Sequence, residues 1–162
     1  MIMNRVTRMT TALVLGIGVT FGGVTFGGAT ASAHGVECAY CEIDVAPADV
    51  VTMTHAGKVH KYKCIYCALD EAQGEYKSGN VVVTSPSEKK GKPVVIRRVG
   101  GKWISPAGAT FVGPAKLRHP ICHIQYRAFT TRAAAQAHIA KNKKVLGDVK
   151  PLSFAQVLKL SS

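Results

Sequence analysis

Apolar and polar residues alternate in several short runs, each closed by a turn signal, and two stretches carry helical spacing instead. Residues 50–55 (Val-Val-Thr-Met-Thr-His) read as a strand, 56–58 (Ala-Gly-Lys) as a turn and 59–63 as the returning strand of a hairpin. From residue 65 to about 76 the period changes to that of a helix, with Leu69 and Ala72 inward and Asp70, Glu71 and Glu75 outward. Residues 80–84 form another predicted strand. The polar stretch 85–93 (Ser-Pro-Ser-Glu-Lys-Lys-Gly-Lys-Pro) reads as a solvated loop and a boundary between lobes. Beyond it, 94–98 and 102–104 flank Gly100-Gly101 as a second hairpin, and 110–113 and 122–129 read as extended. Thr131 is placed to cap a helix over 132–141 with Ala133, Ala137 and Ala140 on one stripe, and Ser153 to cap a last helix ending near Leu160. The predicted class is α+β: a small treble-clef-like, metal-held lobe over 34–84 and a mixed sheet-and-helix lobe over 94–162.

The first 33 residues follow a different pattern. Arg5 and Arg8 precede an apolar stretch over 9–26, and Ala-Thr-Ala-Ser-Ala closes it at 29–33. That order is the pattern of a secretory signal peptide cleaved after Ala33, which makes His34 the mature N-terminus and places the protein outside the cytoplasm. An uncleaved membrane anchor is the alternative. The 162 residues are 47% hydrophobic, enough for a core, and carry a formal charge of +12, falling to +10 when Arg5 and Arg8 leave with the signal. The basic residues are scattered in short groups, and an exported chain meets no genome, so nucleic acid is not an expected partner; weak attraction to an anionic membrane surface is compatible with the charge.

Five cysteines in an exported chain would ordinarily imply disulfides. Four of them instead form two tight pairs, Cys38-Ala-Tyr-Cys41 and Cys64-Ile-Tyr-Cys67, separated by the 22 residues 42–63. Two Cys-x-x-Cys pairs at this spacing predict a tetrahedral thiolate site, because each tight turn can aim two sulfurs at one ion at about 2.3 Å. The hairpin brings the second pair back beside the first. Cys64 and Cys67 open the helix, whose positive end favours thiolate. A pair of disulfides, or a thiol–disulfide oxidoreductase built on the second pair, are the competing readings.

Outside the four, His119, Cys122 and His123 form a denser group that suggests a second, exchangeable copper site. His34, as a mature N-terminus, would offer an amine and an imidazole to copper(II). His55 and His60 lie on opposite strands of the first hairpin and could meet across it. Met53 reads as core.

Trp103, Ala109-Thr110-Phe111-Val112, Pro120, Ala128-Phe129, Ala134 and Ala137, Lys144-Val145-Leu146-Gly147 and Phe154-Ala155-Gln156-Val157-Leu158 follow one another in an order that resembles the NosL family. The resemblance implies an exported copper-binding accessory protein associated with maturation of nitrous oxide reductase. It spans most of the mature chain, and its specificity lies in the order of individually loose motifs. Two departures bear on the metal. Where the family carries Cys-Gly-Met this chain has Cys41-Glu42-Ile43, and where it carries Pro-Met-Gly this chain has Pro120-Ile121-Cys122. Isoleucine cannot replace a thioether as a copper(I) ligand, whereas complete thiolate pairs can.

The sequence therefore predicts a metal-handling accessory protein rather than an enzyme. Zinc or copper(I) is expected at Cys38, Cys41, Cys64 and Cys67, with a weaker copper site drawn from Cys122, His123, His119 and His34. Its expected partner is a metalloprotein or a membrane metal transporter. A structural zinc module that contacts another protein is the alternative, and a thiol–disulfide oxidoreductase the third reading. No Ser-His-Asp set, phosphate-cradling glycine loop or close carboxylate pair supports other chemistry.

Overall fold

The computed structural model describes residues 35–113 and 126–162. Residues 1–33, where the signal peptide was expected, and His34, His119, Pro120, Ile121, Cys122 and His123 lie outside the described residues.

Two short strands come first. β1 (Val36–Glu37) and β2 (Asp44–Val45) pair antiparallel and enclose a tight turn that carries the first cysteine pair. Inside it the Cys38 amide donates to the Ile43 carbonyl at 3.0 Å and the Glu42 amide to the Cys38 carbonyl at 2.9 Å. Glu42 takes a left-handed φ of 57°, an uncommon conformation for a non-glycine residue. A 3-10 turn over Pro47–Asp49 leads into β3 (Val51–His55) and β4 (Lys58–Tyr62). Their two-residue connection, Ala56 and Gly57, has φ of 48° and 78°, the left-handed pair that matches the twist of a hairpin. α1 (Ile65–Gly74) follows, then β5 (Val81–Ser85), β6 (Val94–Val99) and β7 (Lys102–Ile104). β8 (Thr110–Val112) pairs with β9 (Arg127–Phe129), and α2 (Arg132–Lys141), α3 (Lys143–Leu146) and α4 (Phe154–Leu160) complete the chain. The class is α+β.

β3 to β7 form one antiparallel sheet in the order β4-β3-β5-β6-β7. The polar loop read as a lobe boundary connects β5 to β6, which are hydrogen-bonded neighbours over the five registered pairs from Val81↔Arg98 to Ser85↔Val94. The sheet is therefore continuous across that loop, and the described residues belong to one compact unit. The alternation of the strands explains its faces. Val51, Met53, Tyr62, Val81, Val83, Val94 and Ile96 are buried, as are Ile65, Leu69 and Ala72 of α1, which pack over the same core. Val157 of α4 joins them, and Gln73 Nε2 ties α1 to that helix by donating to the Ser161 carbonyl at 2.7 Å.

α2 begins where the sequence places it, with the Thr131 hydroxyl accepting from the Ala134 amide. Its buried side differs from the expected stripe. Ala135 is fully buried, with Ala134 and Ile139 partly so, while Ala133, Ala137 and Ala140 are exposed. α4 starts with a capping box between Ser153 and Gln156. Among the described residues no helix is long and apolar enough to cross a membrane.

Candidate metal centre

The turn between β1 and β2, the β3–β4 hairpin and α1 follow one another as knuckle, hairpin and helix. The knuckle is tied to the hairpin where the Ala39 amide donates to the Lys61 carbonyl at 2.8 Å. The first turn of α1 is thereby set against the knuckle. Cys64 is the N-cap of α1 and Cys67 lies in its first turn.

This arrangement places the Sγ atoms of Cys38, Cys41 and Cys67 all within 4.8 Å of one another. Thiolates bound to a tetrahedral ion at about 2.3 Å stand roughly 3.8 Å apart, so small side-chain movements close the three on one ion. These three residues could hold a metal ion. Cys64 belongs beside them rather than among them: its Sγ is 3.5 Å from that of Cys67, outside the group of three. Cys38, Cys64 and Cys67 are buried, Cys41 is half-buried, and no disulfide joins the four.

The thiols are not equivalent. A hydrogen bond from Cys67 holds the Cys38 thiol well below the usual range, opposed by burial and reinforced by the backbone at Lys63, Cys41 and Tyr40. Burial pushes Cys41 up, and the neighbouring Cys38 adds to the rise. Cys38 is thus the thiol of the set that ionises most readily and Cys41 the more reluctant one, so metal binding draws a proton from Cys41.

Sequence reasoning overlooked the aromatic surround, although each Cys-x-x-Cys carries a tyrosine before its second cysteine. The Tyr40 hydroxyl is bonded to Asp70, which raises its pKa together with burial. Tyr66 stacks on Tyr126 with ring centroids 5.8 Å apart, and burial, then the nearby Cys64, push the Tyr126 hydroxyl up. Tyr126 lies against the backbone of Gly113, where an added Cβ would fall 2.3 Å from the ring.

The hairpin histidines do not face one another directly. His60 is registered opposite Met53, and His55 opposite Lys58. Both imidazoles pack against the Tyr76 ring instead, at centroid distances of 4.7 Å for His55 and 5.1 Å for His60. His55 Nε2 also donates to the Ser78 carbonyl at 3.1 Å. Met53 is fully buried in the core.

No protein-family model matches the chain, and no curated protein does. A solved structure described as the mercury-bound form of MerB2 has a similar fold, with a TM-score of 0.56 and 13% identity. The match covers 72% of this chain and 61% of that one.

Proposed function

We propose that the protein is an exported accessory protein that takes up a thiophilic metal ion at Cys38, Cys41 and Cys67 and yields it to a partner metalloprotein or transporter. The observation that carries this reading is the convergence of three Sγ atoms with one of them, Cys41, half-buried. A site of three thiolates with one ligand near the surface leaves a position from which another ligand can take the ion, unlike a closed four-thiolate site. Soft thiolates select copper(I), zinc and related ions. The likeness to a mercury-bound fold and the resemblance to the NosL family support soft-metal handling, and the latter favours copper as cargo. Cys122, His123, His119 and His34 are then the proposed ligands of a weaker, exchangeable copper site.

A structural zinc site is the second reading. It is favoured by the knuckle, which has few hydrogen bonds of its own and would gain rigidity from an ion.

Titration of the reduced protein with copper(I) or zinc against a chromogenic chelator tests both. Wild type is expected to bind one ion tightly, with affinity rising with pH because Cys41 must release its proton. Cys38→Ser and Cys67→Ser are expected to lose that binding. Wild-type affinity in both variants would defeat the site. A tight zinc ion that a thiol competitor cannot remove, with no copper(I) binding, would favour the structural reading.

A further inference from the structure

The contact between Cys64 and Cys67 has a second use, which rests on the cluster described above but not on any metal. We propose that Cys41, Cys67 and Cys64 form a thiol–disulfide relay that carries oxidation inward from a small-molecule disulfide and ends in a Cys64–Cys67 disulfide.

Accessibility sets the order. Cys64 and Cys67 have no exposed surface and Cys38 has 1%, whereas Cys41 is half-buried. An external disulfide RSSR therefore meets Cys41 first. The Cys41 sulfur attacks one sulfur of RSSR, the S–S bond of RSSR breaks, a Cys41–S–S–R bond forms and one RSH leaves. Cys67, with its Sγ within 4.8 Å of that of Cys41, attacks the Cys41 sulfur; a Cys41–Cys67 disulfide forms and the second RSH leaves. Cys64, 3.5 Å from Cys67, then attacks the Cys67 sulfur, forming Cys64–Cys67 and returning Cys41 to the thiol. Overall, two protein thiols are oxidised to one disulfide and one RSSR is reduced to two RSH, which carry away the two thiol protons.

Cys67 is the branch point, since it belongs to the three-thiol set and also touches Cys64. Its withdrawal into the disulfide leaves only Cys38 and Cys41 of that set, so oxidation and metal binding compete for one sulfur. The final disulfide would join the N-cap of α1 to its first turn, in the Cys-x-x-Cys spacing that suits such a bond.

The test uses the full chain carrying Cys122→Ser, which keeps the fifth thiol out of the exchange. It is reduced, freed of metal and exposed to oxidised glutathione, then alkylated and digested with trypsin. Cleavage at Lys58, Lys61, Lys63 and Lys77 puts Cys38 with Cys41 and Cys64 with Cys67 on separate peptides. The expected end product is a Cys64–Cys67 disulfide with Cys38 and Cys41 alkylated. Adding Cys41→Ser is expected to slow that bond at least ~10-fold, since the accessible attacking thiol is gone. Adding Cys64→Ser is expected to stop the reaction at Cys41–Cys67 or at the glutathione adduct of Cys41. A Cys38–Cys41 disulfide as the end product, or oxidation of the Cys41→Ser chain at the unchanged rate, would overturn the relay. No metal is added, so failure of the metal titration would leave this result standing, and the converse holds.

Discussion

At position 64 a helix N-cap is filled by cysteine, where Ser, Thr, Asp or Asn would accept a bond from the backbone of the first turn. Cys64 makes no such side-chain cap bond, and its sulfur touches Cys67 instead. The choice of residue here follows sulfur chemistry rather than helix stability. The two Cys-x-x-Cys pairs made the identity of the cluster legible in the sequence. The separation of Cys64 from the other three was not, because spacing limits which cysteines are near and side-chain rotamers decide which converge. Gly113 was equally silent, since its role is to make room for a residue 13 positions away in sequence. A Cβ there would overlap Cδ1 and Cε1 of Tyr126 at 2.3 Å and 2.4 Å. Tyr126 is buried and stacked on Tyr66, so it cannot simply swing aside. Gly113→Ala is expected to destabilise the protein by about 1–3 kcal/mol, the range for overpacking a core. Urea denaturation followed by Trp103 fluorescence checks it, and an unchanged midpoint would show that the ring has room to move.

Among the elements, those bounded by explicit chemistry were legible. Ala56-Gly57 and Gly100-Gly101 gave both tight hairpins, and Thr131 and Ser153 gave two helix starts. The inward face of α2 was not legible, because a helix built largely of alanine has little contrast between its faces. Arg98 was missed for another reason. It sits in the strand pattern of β6 on the buried face, where an arginine looks misplaced until its partners are known. Its guanidinium donates to the carbonyls of Ala72 at 2.8 Å, Ser78 and Gly79 at 3.2 Å, and also to that of Tyr76. One side chain thus satisfies the carbonyls at the end of α1 and the turn that leads into β5. It also lies 5.3 Å from the centre of the Trp103 ring. Arg98→Met keeps much of the apolar stem and leaves those carbonyls without donors. The expected loss is about 2–4 kcal/mol, larger than for an exposed arginine, measured by chemical denaturation. A change within about 0.5 kcal/mol would mean that water replaces the guanidinium there.

At the scale of the whole molecule, the sheet decides what a bound metal can and cannot hold together. The sequence suggested a first lobe stabilised as a unit by its ion, with a loop at 85–93 dividing it from the second. That loop instead joins adjacent strands of one sheet, and the hairpin β3–β4 continues through β5 into β6 and β7. Strand order depends on pairing between distant residues, which local patterns do not encode. The consequence concerns metal removal. The strand pairings of β3 with β4 and β5, and the buried Ile65, Leu69 and Ala72 of α1, do not depend on the turn between β1 and β2. Among the described residues, the backbone bonds of the knuckle are the two registered pairs of β1 and β2, the Cys38 and Glu42 turn bonds and the Ala39–Lys61 link. Local opening costs least where such bonds are few. Hydrogen exchange of the reduced, zinc-loaded protein before and after chelation is therefore expected to show protection lost over 36–45 and retained over 51–55, 81–85 and 94–99. Chelation that exposes the whole of 36–76 while sparing 94–104 would mean that the ion holds a separate lobe and that the β5–β6 pairing contributes little to its stability. Exchange that stays slow everywhere after chelation would show the knuckle to be stable without metal, which would remove structural zinc as a reason for the four cysteines and leave delivery or thiol exchange.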